Sequence, residues 1–115
     1  MPIAIYGIKS CDTMKKAMAW LDTHNIAYTF HDYKKEGVDH SRLLDWIKTA
    51  GWEALINRSG TTFRKLPDAV KADLTEEKAI QLMLENPSMI RRPVLEASTL
   101  IIGFKSEKYA DFFKT

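Results

Sequence analysis

The stretch that decides the fold is IAIYGIKSCDTMKKAMAWLDTHNIAYTFHD, residues 3–32 of this 115-residue chain. It opens with Ile3 to Tyr6, a short apolar run closed by Gly7, which predicts a buried strand. Apolar residues then recur at helical spacing, which predicts an amphipathic helix beginning near Cys11, with Ser10 as its N-cap. The residues of its apolar face are Met14, Ala17, Met18 and Leu21.

The residues after this helix complete a strand–helix–strand unit. Asn25 predicts the end of the helix. Ile26 to Phe30 alternates large apolar residues with small or polar ones, which predicts a second strand ending near Asp32. A crossover of this kind is normally right-handed and gives two parallel strands.

The middle of the chain has a different pattern, which predicts helices and loops. Two of these helices have clear start and stop signals. Their predicted caps and stops are Asp39 or Ser41 with Gly51, and Thr75 with Asn86-Pro87.

Past Pro93 the pattern returns to strands, and it predicts a hairpin joined by a tight Ala97-Ser98 connection. Ser106 is the predicted cap of a last helix. The predicted order is therefore β-α-β, a helical insertion at residues 38–88, and β-β-α, within a single α/β domain of residues 1–115.

The composition excludes several classes of protein. An apolar fraction of 45% argues against intrinsic disorder, and the apolar runs are too short to cross a membrane. A net charge of +2 without a basic cluster does not mark a nucleic-acid binder. The histidines lack ligand spacing and the glycines match no nucleotide-binding fingerprint, so neither a metal nor a nucleotide site is predicted. One cysteine and no secretory signal favour the cytoplasm.

Cys11 is expected where the first strand leads into the first helix, a position suited to a nucleophile. Free N–H groups at a helix start, including that of Thr13, favour a thiolate and can hold an oxyanion. Lys9 adds positive charge there, whereas Asp12 adds negative charge. The alternative is a buried, inert cysteine, since free cysteine is among the most buried residue types.

Two arginines are the other candidates for chemistry. Arg58 falls on a polar loop, where a guanidinium can fork onto a carboxylate or an oxyanion, and the alternative is a solvated loop arginine. Arg92 precedes Pro93 at the start of a strand, and proline biases it to an extended conformation. From spacing alone, an ordinary trans peptide bond is favoured there.

Four segments in this order resemble the ArsC/Spx family and span essentially the whole chain. They are residues 5–17 (IYGIKSCDTMKKA), 54–58 (ALINR), 84–93 (LENPSMIRRP) and 103–107 (GFKSE). The similarity is greatest to the YffB-type branch of ArsC-like reductases. It implies a thioredoxin-like α/β fold, β-α-β … β-β-α, with a helical insertion between the halves.

The resemblance also implies roles for individual residues. Cys11 matches the catalytic nucleophile, and Arg58 and Arg92 match two arginines that flank it. Pro93 matches the family's cis-proline, which favours a cis Arg92-Pro93 bond. Arg58, Arg92 and Pro93 are therefore predicted to bind a substrate or an anion, together with the residues beside Cys11 at the helix start, which are Lys9, Asp12 and Thr13.

The function implied is a cytoplasmic, glutathione-dependent thiol–disulfide reductase in which Cys11 forms a mixed disulfide. Glutathione is then the co-substrate, no cofactor is bound, and the partners are glutathione or a glutaredoxin, with neither nucleic acid nor membrane involved. One alternative is an arsenate reductase, although Phe104 stands where that family has a third arginine. The other is an Spx-like regulator that binds RNA polymerase, although Met14 replaces the second cysteine of Cys-x-x-Cys.

Overall fold

The computed structural model describes residues 3–114, which form a mixed α/β arrangement of strands and helices. In chain order the elements are β1 (Ala4–Gly7), α1 (Asp12–Thr23), β2 (Thr29–Asp32), α2 (Tyr33–Glu36), α3 (His40–Ala50), α4 (Trp52–Leu55), α5 (Thr61–Arg64), α6 (Asp68–Ala72), α7 (Glu76–Glu85), a 3-10 helix (Pro87–Met89), β3 (Val94–Glu96), β4 (Leu100–Ile102) and α8 (Ser106–Phe113). The chain divides into two units: one holds the residues up to Asp32 and from Arg92 onward, and the other is Tyr33–Arg91.

The first unit is built on a sheet of four strands in the order β2-β1-β3-β4. β1 and β2 run parallel, with Gly7 opposite Asp32 at their carboxyl ends. β3 is antiparallel to both β1 and β4. This topology contains the predicted parallel pair and the predicted hairpin, and the thioredoxin-like fold class is confirmed.

The apolar face of α1 forms the core of the first unit. Met14, Ala17 and Leu21 have no exposed surface, as the helical spacing predicts. The remaining fully buried members of this cluster come from two strands and the last helix: Ile5, Leu95 and Tyr109. Burying one large apolar side chain contributes about 1.5–3 kcal/mol relative to leaving it exposed, so this cluster fixes α1 in place.

Two predicted helix caps are wrong by one residue. Ser10 lies in a turn in which the Cys11 N–H donates to the Ile8 carbonyl over 3.1 Å, so the extended residue before α1 is Cys11. Ser106 already has helical backbone, and the extended residue before α8 is Lys105. In both places the turn that precedes the helix decides where the helix begins.

The second strand and the hairpin connection also differ from the prediction. β2 begins at Thr29 rather than Ile26, because the four residues of β1 offer a partner only to four residues. Ile26 still packs against the core, so its place in the apolar alternation reflects burial. In the hairpin, Ala97 donates its N–H to the Thr99 carbonyl over 3.0 Å, which adds Thr99 to the connection.

The second unit contains the predicted helices. Asp39 caps α3 by accepting from the Arg42 N–H over 3.1 Å, whereas Ser41 lies inside that helix. α3 ends at Ala50, and the C-cap that follows it, Gly51, has a φ of +87°, which favours glycine. Thr75 caps α7 and accepts from the Lys78 N–H over 3.4 Å.

The second unit also contains features that the sequence pattern does not predict. These are the short helices α2, α5 and α6 and the 3-10 helix. A short antiparallel ladder around the Ile56–Ile90 bridge includes a bond of 2.7 Å from the Arg91 N–H to the Leu55 carbonyl.

The single-domain organisation with an insertion at residues 38–88 stays a prediction. Within residues 3–114, no helix has the length and apolar character needed to cross a membrane.

Candidate functional site

Cys11 occupies the N-cap of α1, a helix of 12 residues. β1 ends at Gly7, and the intervening loop is closed by the bond from the Cys11 N–H to Ile8. The Cys11 carbonyl accepts from the Lys15 N–H over 3.0 Å, which is the first bond of the helix. Because Cys11 is the N-cap, its thiol lies at the positive end of the helix dipole. The thiol is free and partly exposed, so it is accessible to solvent.

The surroundings of the Cys11 thiol favour its ionised form. Burial raises the pKa of the thiol, but a hydrogen bond from Arg92, the backbone N–H groups of Met14 and Thr13, and the charge of Arg92 together lower that pKa by more. Cys11 forms no capping hydrogen bond of standard geometry, although the N–H groups of Met14 and Thr13 lie close enough to its sulfur to lower the pKa of the thiol. The net effect is a thiol that ionises below its ordinary range.

Arg92 reaches this thiol from the segment that leads into β3. The Arg92–Pro93 bond is cis, which confirms what the resemblance implies. The Pro93 carbonyl accepts from the Gly103 N–H over 2.8 Å, so the segment is tied to the end of β4. Arg92 is half-buried, and its guanidinium therefore has a restricted range of positions beside the sulfur.

The other residues predicted beside Cys11, which are Lys9, Asp12 and Thr13, differ in whether they influence the pKa of the thiol. Thr13 contributes a backbone N–H that lowers the pKa of the Cys11 thiol, and its predicted role in binding an anion stays a prediction. Lys9 and Asp12 are exposed neighbours of Cys11 in the chain, and neither is among the groups that shift the pKa of the thiol. Their predicted roles in binding a substrate remain predictions.

Arg58 belongs to the second unit, where its surroundings differ from those of a freely solvated loop arginine. Asn57 anchors the backbone on both sides: its N–H donates to Met89 over 2.6 Å, and its side-chain oxygen accepts from the Ser59 N–H over 3.2 Å. The Arg58 guanidinium carbon lies 5.7 Å from the centre of the Trp52 ring, within the range of a cation–π interaction. Arg58 is thus an exposed cation held on an ordered loop, suited to binding an anion.

The side chain of Phe104 packs against the core of the first unit. Its ring lies edge-on to Tyr109, with 4.8 Å between the ring centroids, at the border of the core of the first unit. The neighbouring Lys105 is exposed and precedes α8. Phe104 therefore offers no positive charge at the position where the family resemblance implies an arginine in arsenate reductases.

Sequence reasoning missed the contribution of the Met14 backbone N–H to the surroundings of Cys11. The sequence pattern predicts Met14 as a core residue, and the family resemblance marks it as the replacement of a second cysteine; neither assigns a role to its backbone N–H. The signal that could have found it is position alone, because the backbone N–H groups two and three residues after an N-cap face the side chain of that residue. Among residues 3–114, no cluster of histidine, cysteine, aspartate and glutamate is arranged to hold a metal ion.

The sequence profile of the ArsC family matches residues 6–112. The chain belongs to the ArsC family. The cysteine at the start of α1 and the arginine that precedes the cis-proline thus lie within the matched region.

Solved structures and curated relatives place this ArsC-family chain more closely. A protein named YFFB is 57% identical, with a TM-score of 0.90 over 95% of this chain and 96% of that one. An arsenate reductase (ArsC) related protein from Brucella melitensis is 55% identical, with a TM-score of 0.81 over 100% and 97% of the two chains. The global transcriptional regulator Spx of Streptococcus agalactiae is 31% identical over 114 residues, which cover 96% of this chain and 82% of that protein.

Proposed function

We propose that this ArsC-family protein is a glutathione-dependent thiol–disulfide reductase with Cys11 as its nucleophile. The observation that carries the proposal is the Cys11 thiol at the N-cap of α1. There, burial raises the thiol pKa, while Arg92 and two backbone N–H groups lower it by more. A thiolate is the attacking species in disulfide exchange, so a lowered pKa increases the reactive fraction at neutral pH.

The proposed reaction has three exchange steps. The Cys11 thiolate attacks one sulfur of a disulfide, so a bond from Sγ to that sulfur forms while the original S–S bond breaks. The departing thiolate takes a proton from solvent. A glutathione thiolate then attacks the substrate sulfur of the mixed disulfide and releases the Cys11 thiolate. A second glutathione completes the reduction, so glutathione is oxidised, the disulfide is reduced and the protein is unchanged.

The arginines have distinct parts in this proposal. Arg92, which bonds to the Cys11 sulfur, stabilises the thiolate before attack and after release. We propose that Arg58 also binds a carboxylate or oxyanion of the substrate, on the basis of the resemblance and of its ordered, exposed guanidinium. Glutathione carries carboxylates that suit such a group. A glutaredoxin is the proposed protein partner, and the cytoplasm, a reducing compartment, is the proposed location.

Intact-mass spectrometry tests the proposal. Reduced protein exposed to oxidised glutathione should gain one glutathione at Cys11, and the adduct should disappear only when reduced glutathione is added. Cys11→Ser is the matched control and should gain nothing, because the chain has no second cysteine. Failure of the wild-type protein to form the adduct, or loss of the adduct without added thiol, would contradict the proposal.

Arsenate reduction is a second candidate, supported by the similarity to the arsenate reductase related protein of Brucella melitensis. Phe104 packed against Tyr109 weighs against it, because an aromatic ring offers no charge to an oxyanion. Arsenate-dependent oxidation of glutathione that is lost in Cys11→Ser would favour this candidate. Its absence at millimolar arsenate, with disulfide exchange intact, would exclude it.

Transcriptional regulation is a third candidate, supported by the similarity to the Spx regulator of Streptococcus agalactiae. Such a protein would bind RNA polymerase, and binding alone does not require a thiol. Retention of purified RNA polymerase on immobilised protein, equal for the wild type and for Cys11→Ser, would favour this candidate over both enzymes.

A further inference from the structure

Gly7 lies so close to Met14 that any other residue type at this position would have to displace the Met14 side chain. A Cβ atom built on Gly7 would overlap the Met14 sulfur and lie 2.9 Å from Cγ and 3.0 Å from Cε of the same side chain. The φ of Gly7 is not in the left-handed region, so the requirement for glycine here is one of space and not of backbone conformation. The end of β1 and the first turn of α1 are therefore in direct contact.

Met14 has little freedom to give way. It has no exposed surface and packs in the cluster that contains Leu95 from β3 and Tyr109 from α8. A flexible side chain at the surface would simply swing aside, but here the neighbouring core atoms already fill the space. A Cβ on Gly7 would therefore push the Met14 side chain, and with it the backbone to which that side chain is attached.

That backbone is part of the surroundings of the thiol. The N–H groups of Met14 and of Thr13 both favour the charged sulfur of Cys11. Cys11 itself is tied to the strand end through its bond to the Ile8 carbonyl. The end of β1 is thus linked to the first turn of α1 in two ways. One link is the bond from the Cys11 N–H to Ile8, and the other is the contact between Gly7 and Met14, which sets the distance between strand and helix.

We propose that Gly7 and Met14 are positioning residues, whose contact holds the first turn of α1 at the place where its N–H groups face the Cys11 sulfur. This inference rests on the proposed role of Cys11 as a nucleophile and adds to it the pair of residues that tunes the thiol. The charged side chain that also faces the sulfur, Arg92, comes from a different segment, the one that leads into β3, and is attached to neither residue of the pair.

The test is the rate of Cys11 alkylation by iodoacetamide as a function of pH. Gly7→Ala should lower the rate at pH 7 by about three- to tenfold, since a pKa higher by one unit leaves about a tenth of the thiolate. Met14→Ala removes the side chain that holds the turn and should lower the rate as well. In Gly7→Ala/Met14→Ala the new Cβ has nothing to push, so the double variant should match Met14→Ala.

Ala17→Gly is the matched control. It lies in the same helix and the same core cluster, and it should lower the melting temperature without changing the alkylation profile. A Gly7→Ala profile equal to that of the wild type, with a melting temperature lowered as in Ala17→Gly, would show a purely structural contact and overturn the inference. If Gly7→Ala does not fold, an unchanged profile in Met14→Ala would overturn it. A wild-type thiol with an ordinary pKa would instead contradict the proposed function.

Discussion

The Cys11 thiol is subject to opposing influences, and their balance decides its chemistry. Burial alone would raise its pKa and make it inert, as expected for a cysteine packed beside a core. The hydrogen bond and charge of Arg92, together with the N–H groups of the first turn, reverse that outcome. At the scale of single residues, the sequence predicts the cysteine and the helix start. The partner Arg92, 81 positions away, was found only through the family resemblance, because no local pattern links them.

Arg92→Met therefore has a defined consequence. Burial still raises the pKa of the Cys11 thiol, and the largest opposing influence is gone, so the midpoint of alkylation against pH should move upward. Arg91→Met is the control: its side chain is exposed and its backbone N–H bonds to Leu55 in the second unit, so the midpoint should not change. An unchanged midpoint in Arg92→Met would refute the role given to this guanidinium.

Tyr109 offers a second test at the same scale. Its ring is fully buried, burial raises the pKa of its phenol well above the usual range, and its hydroxyl finds no hydrogen-bond partner among residues 3–114. Tyr109→Phe should leave the free energy of unfolding unchanged or raise it by about 1 kcal/mol, because an unsatisfied buried group is removed.

Tyr28→Phe is the control variant for Tyr109→Phe, and the free energy of unfolding of both is measured by chemical denaturation. The Tyr28 hydroxyl bonds to Asp22, so this variant should lose stability rather than gain it. A marked loss of stability in Tyr109→Phe, equal to or larger than that in Tyr28→Phe, would mean that the Tyr109 hydroxyl has a partner after all.

At the scale of elements, hydrophobic spacing predicts the helices that bury a stripe and misses those that do not. α1, α3 and α7 each carry the repeating apolar face that fixes their type. α2, α5 and the 3-10 helix are three or four residues long, which is too short for a helical period to be visible. Their presence depends on neighbours in space, such as the bond between the Thr62 and Ser88 hydroxyl oxygens, 3.1 Å apart.

Helix caps are also predicted only in part from sequence, and the capping roles of Asp39 and Ser10 can be tested directly. Asp39→Ala should lower the free energy of unfolding by about 0.5–2 kcal/mol, because its carboxylate accepts the Arg42 N–H at the start of α3. Ser10→Ala should have little effect, because Ser10 lies in the turn before Cys11 and does not cap α1. Equal losses in the two variants, measured by urea denaturation, would contradict this assignment of the caps.

At the scale of the whole molecule, the order of elements could be predicted and the site only in part. The β-α-β and β-β-α segments follow from local patterns, and the crossover through α1 returns the chain so that β1 and β2 run parallel. The contact between Gly7 and Met14 could not be predicted, because it depends on how closely a strand end approaches a helix. A single cysteine in 115 residues also sets a condition on any redox cycle: the second thiol comes from another molecule.

The pH dependence of Cys11 alkylation in the wild-type protein tests the central claim most directly. The chain has one thiol, so the rate of iodoacetamide addition, followed by intact mass, reports on Cys11 alone. We predict a midpoint clearly below about 8.5, the ordinary value for a free cysteine, because Arg92 and the α1 N–H groups outweigh burial. A midpoint at or above that value would mean that burial prevails and that Cys11 is not an activated nucleophile.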